Sequence, residues 1–108
     1  MKIEICANSY ESAVNAQLGG ADRIELCSEL SVGGITPSYG NLKQVVSQLT
    51  IPVHVLIRPR SGDFCYSDEE FQIMKADIEF CKSIGIQGIV SGILLPDQHI
   101  DIQRTQEL

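Results

Sequence analysis

The chain has 108 residues, a formal net charge of -6 and a hydrophobic share of 44%, which suits one small globular α/β domain. It has no basic cluster to release counterions from nucleic acid or to hold an anionic membrane surface. Glu4 follows the start closely and no apolar run nears the ~20 residues that span a bilayer, so a cytoplasmic location is expected, without nucleic acid or membrane as partner.

Ile3, Ile5 and Ala7 alternate with Glu4, Cys6 and Asn8, which predicts a first strand with one apolar and one polar face. Asn8 with Glu11 has the form of a capping box. Tyr10, Ala13, Val14 and Leu18 then give a helix its apolar stripe, and Gly19-Gly20 ends it. Arg23 to Ser28 alternates again, with Ile24 and Leu26 set against Arg23, Glu25 and Cys27. A glycine-bearing loop covers Ser31 to Ile35, and Thr36-Pro37 has the cap-then-proline form of a helix start. Tyr39, Leu42, Val45, Val46 and Leu49 keep helical spacing up to Pro52.

Val53 to Ile57 is β-branched and apolar, the third strand, and a long loop from Arg58 to Tyr66 follows. Ser67 and Glu70 form a second capping box, ahead of a helix lined by Phe71, Met74, Ile78 and Cys81 and closed by Gly85. Ile89 to Leu94 is the fourth strand, Pro96-Asp97 a turn, and Asp101 the cap of a last helix.

Strand-helix alternation implies a parallel sheet covered by helices. Leu18 to Ile24 echoes Ile84 to Ile89, each closing a helix on glycine and entering a strand. Gly20 and Gly85 are 65 residues apart, two strand-helix units. With no G-x-G-x-x-G after the first strand, the expected fold is the N-terminal half of a TIM (β/α)8 barrel, about four βα units in a single partial-barrel domain over residues 1-108. A closed barrel needs eight strands. Four leave two open edges, so the chain is expected to be a fragment of something longer or to pair as a homo-oligomer.

Alternation sends Glu4, Cys6, Glu25, Cys27, His54 and Arg58 to the lumen face, a polar set for a place that branched aliphatics normally fill. Glu4 and Glu25 set against Arg58, with Arg23, form an expected ion-pair network, read either as a register device or as an anion pocket. Cys6 and Cys27 each follow an inward glutamate by two residues, near the strand's C-terminal end. Neighbouring strands lie ~4.8 Å apart, so the two sulfurs can meet one soft ion such as Cu(I); the other reading is inert burial. His54 reads as a core histidine and Asp63 as a turn residue, with Cys65 in a loop and Cys81 in a helix core. Arg58-Pro59-Arg60 at the rim reads either as a seat for a carboxylate or phosphate or as solvated charge. Scattered cysteines without a C-x-x-C pair argue against a disulfide framework or a structural zinc site. No nucleophile elbow, P-loop or metalloprotease helix is present.

Four stretches closely resemble the CutC family, a family named for copper homeostasis. They are Glu4-Ile5-Cys6-Ala7-Asn8-Ser9, Gly19-Gly20-Ala21-Asp22-Arg23-Ile24-Glu25-Leu26-Cys27, Gly33-Gly34-Ile35-Thr36-Pro37-Ser38, and Ile51 through Arg60 running on to Tyr66. The resemblance implies a TIM barrel about twice this length, copper as the bound ion, and Cu(I) ligands at Cys6 and Cys27. It brings no established reaction. The sequence departs from the family in lacking the second half, with its histidine-arginine segment, and in lacking a glycine after Asp97.

Three functions follow. One is a cytosolic Cu(I)-binding protein of copper homeostasis. Another is a barrel enzyme on a small anionic metabolite, with Arg58 gripping the anion and Glu4 or Glu25 as acid-base. The third is an inactive truncated product.

Overall fold

Strand and helix alternate through the whole chain. A computed structural model describes residues 1-108, with strands β1 (Glu4–Ala7), β2 (Arg23–Leu26), β3 (Val53–Leu56) and β4 (Gly88–Val90). The helices are α1 (Tyr10–Leu18), α2 (Tyr39–Gln48), α3 (Asp68–Ser83) and α4 (Ile102–Glu107), with a 3-10 turn at Leu30–Val32. The sheet is parallel and its spatial order β1-β2-β3-β4 follows the chain. Right-handed crossovers in such an order place every helix on one face. That is how a barrel wall is built, whereas a doubly wound sheet reverses direction part-way. The architecture is α/β, four consecutive βα units of the N-terminal half of a barrel.

The period-2 pattern sorts β2 and β3 as the sequence predicts. Ile24, Leu26, Val53, Val55 and Ile57 are buried in one core with Ala13, Leu42, Val45, Phe71, Met74 and Cys81. Burial at about 25 cal/mol per Å² of apolar surface makes this layer the main stabilising term. Arg23, Glu25, His54 and Leu56 on the other face are only half-buried. Ile3 and Ile5 have the parity of the helix face yet are 47% and 40% exposed, because β1 is an edge with no strand beyond it.

Several local expectations are corrected. The cap of α1 is Ser9, not Asn8: Ser9 Oγ accepts from the Ser12 N–H, and Ser12 Oγ closes the box by accepting from Ser9. Glu11 takes no part, since one residue's shift of the cap moves the third helical position to Ser12. Helix α2 starts from Ser38, whose hydroxyl accepts from Asn41 N. Thr36 is drawn away instead to the end of β3, where its Oγ1 accepts from Arg58 N at 2.8 Å. Leu18 and Tyr39 were expected on apolar stripes, but they are 78% and 59% exposed, and Tyr39 stacks on Phe80 outside the core at 4.0 Å. β4 is shorter than expected: beyond Val90 the chain leaves β3, and Leu94 N donates to Phe64 O of the long loop.

Other expectations hold. Ser67 and Glu70 form the capping box of α3, and Asp101 caps α4. The internal echo has a backbone counterpart, for Gly20 and Gly85 both take positive φ, 96° and 85°, where α1 and α3 end.

Candidate functional site

β1 and β2 lie side by side with Glu4 opposite Arg23 and Cys6 opposite Glu25, so Cys27 falls diagonally beyond Cys6 on the same face. The two thiol sulfurs are 3.8 Å apart. Cys6 is exposed, and Cys27 is buried at 1% exposure. Burial, with the Cys6 thiol beside it, pushes the Cys27 thiol up to about 12. In the free chain Cys27 is therefore a protonated thiol at neutral pH.

The cover over Cys27 is the glycine loop. Gly34 sits with φ 94°, a left-handed backbone that side chains disfavour. A Cβ there would lie 3.0 Å from Leu56 Cδ2 and 3.4 Å from Cys27 Cβ. Arg58 holds this loop in place: its Nη1 donates to Val32 O at 2.8 Å and Gly34 O at 2.7 Å, while Nη2 donates to Gly62 O at 2.8 Å. At 8% exposure, Arg58 is the one buried charged residue. Sequence reasoning missed this clasp. The glycines and Arg58 are visible in the sequence, but nothing local states that a strand-end guanidinium turns to carbonyls 24 and 26 residues back.

The expected network of Glu4, Glu25 and Arg58 is thereby corrected. Arg23 takes the glutamate, with its Nε 2.5 Å from Glu4 Oε2, and Arg58 binds no carboxylate. The Arg23 guanidinium holds the Glu4 carboxyl below the usual range. Burial and then the neighbouring Glu4 raise that of Glu25. The rim residue Arg60 is likewise engaged, pairing with Glu70 at 3.0 Å and Asp63 at 3.1 Å. His54 stands opposite Gly88, where any Cβ would meet its ring at 2.7 Å, so it lies half-buried on the lumen face rather than in the core. Cys65, in the long loop, and Cys81, buried in α3, stand where expected.

No third His, Cys, Asp or Glu joins Cys6 and Cys27 in a metal-ligating group. The donor set is two sulfurs. This pair fits a soft ion that accepts few ligands, and it does not fit tetrahedral zinc or a hard cation. No helix is long and apolar enough to cross a membrane.

Comparison with known proteins gives concordant matches. The chain is 60% identical over 99 residues to the human copper homeostasis protein cutC homolog, covering 92% of this chain and 36% of that protein. It is 51% identical over 107 residues to the family protein CutC of Photorhabdus laumondii, covering 99% of this chain and 43% of the relative. The chain thus spans less than half the length of these relatives. A crystal structure of a Streptococcus agalactiae protein named for copper homeostasis, CutC, superposes with a TM-score of 0.89 at 38% identity. That match covers 100% of this chain and 53% of the neighbour. The CutC family itself matches over residues 1-108, without a break, and the chain belongs to the CutC family.

Proposed function

We propose that the chain serves copper homeostasis in the cytoplasm by holding Cu(I) between Cys6 and Cys27. The observation that carries the reading is the pair of sulfurs at 3.8 Å, one exposed to receive the ion and one buried. The names of the human and Streptococcus relatives support copper as the cargo. Soft thiolate ligands select Cu(I), and a reducing compartment keeps both sulfurs free for it. Binding must displace the Cys27 proton, and the metal–thiolate bond offsets the cost of ionising a buried thiol.

Anaerobic titration of the reduced chain with Cu(I), against a chromophoric competitor, tests this. One tight site per chain is expected, lost in the Cys6→Ala, Cys27→Ala double variant and kept in Cys65→Ala. Equal binding by the double variant would end the copper reading.

A further inference from the structure

A second site, separate from the cysteines, lies where β3 and β4 hand over to their loops. A cavity of about 230 Å³ is walled by Leu56, Phe64 and Val90, with Arg58, Tyr66 and Ser91 as its polar members. It stands at the C-terminal ends of the strands, the face on which parallel barrels place ligands.

Two buried polar atoms here have no partner: Arg58 Nε and Tyr66 Oη. Both side chains are more than nine-tenths buried, at 8% and 7% exposure. Buried donors left unpaired forfeit their hydration without compensation, and native proteins keep few of them without a reason. The rest of the Arg58 fork is engaged, since Nη1 gives two bonds to loop carbonyls and Nη2 one. Phe64 lies over the guanidinium, 5.1 Å from ring centre to Cζ. A guanidinium roofed by an aromatic ring, with its Nε edge unpaired and a phenol lining the same cavity, is the donor set for one planar oxyanion. Ser91 Oγ donates to Ile57 O at 3.2 Å, which leaves its lone pairs free to accept from a ligand hydroxyl.

We propose that this cavity binds a small monocarboxylate with an apolar body, its carboxylate taken by Arg58 Nε and Tyr66 Oη and its body held between Leu56, Phe64 and Val90. Size agrees, since a cavity of about 150 Å³ already holds benzene. Charge agrees as well. One guanidinium balances one carboxylate, whereas a phosphate dianion would carry an uncompensated charge into apolar walls. Both donors are sealed from water, so the ligand enters by displacing the ring of Phe64, which is 41% exposed.

The test uses benzoate as probe and inorganic phosphate as contrast, followed by amide NMR and calorimetry on the purified chain. Saturable benzoate binding in the millimolar range or tighter is expected, with shifts gathered at Phe64, Tyr66, Val90 and Ser91 and none of comparable affinity from phosphate. Tyr66→Phe removes only the orphan hydroxyl. It should keep or raise the melting temperature while weakening benzoate about tenfold. Arg58→Lys loosens the loops it holds, so Tyr66→Phe and the shift map decide. Absent benzoate binding, shifts elsewhere, undiminished binding by Tyr66→Phe, or equal binding of phosphate would each overturn the proposal.

Discussion

At the residue scale, the chemistry concentrates in Cys27 and the groups that bury it. Burial raises this thiol to about 12 and Cys81 to about 11, both above the ordinary value of 9.0. A folded-state pKa above the unfolded one contributes stability that is complete below about pH 9 and is lost as pH rises toward the folded values. The melting temperature should therefore fall across pH 9 to 11. A Cys27→Ala, Cys81→Ala variant should start lower but show a flatter profile; an unchanged slope would show that these thiols do not govern the alkaline limb. The same proton sets the metal chemistry. Cu(I) affinity measured by competition should rise with pH between 6 and 8, by up to about tenfold per unit for each proton released. Gly34 is the third lever. Gly34→Ala combines a left-handed backbone with contacts at 3.0 and 3.4 Å against Leu56 and Cys27. It should cost about 1–3 kcal/mol in denaturant unfolding and weaken Cu(I) binding too.

Elements carry the next set of expectations, because the caps differ from the most visible candidates. Ser9→Ala and Ser67→Ala should each cost about 1 kcal/mol, since each removes a hydroxyl that accepts from the third helical residue. Asn8→Ala should be close to neutral by the same measurement, since only its backbone N–H is engaged, by Ser12 Oγ. A large loss at Asn8 with none at Ser9 would reverse the cap assignment. Ser67 is legible because Ser-x-x-Glu precedes a long apolar stripe with no second Ser, Thr or Asn beside it. Ser9 was not, because Asn8, Ser9 and Ser12 lie within one turn and all suit a helix start. Thr36 was misread for a different reason. Its hydroxyl serves Arg58, 22 residues later, and that bond exists only once β3 lies beside the loop.

For the whole molecule, the open lumen face and the edges at β1 and β4 dominate. Ile3 and Ile5 sit unprotected beside the first edge, and unpaired strand edges template association. The isolated 108-residue chain is expected to self-associate, β1 of one copy beside β4 of another. Sedimentation at micromolar concentration checks this, and a compact monomer that unfolds cooperatively would sink it. The residue pattern alone sets the order of the elements, the buried face of β2 and β3, and the placement of Cys6 and Cys27 on one face of adjacent strands. Those features follow from periods of 2 and 3.6 residues, which are local and survive any detail of the loops. It takes the folded chain to bring the sulfurs to 3.8 Å, to pair Arg23 rather than Arg58 with Glu4, and to make Arg58 clasp the glycine loop while leaving Nε unpaired. The partners in these contacts are 19 to 26 residues apart. They are chosen by loop path and hydrogen-bond direction, which no pattern within one segment encodes.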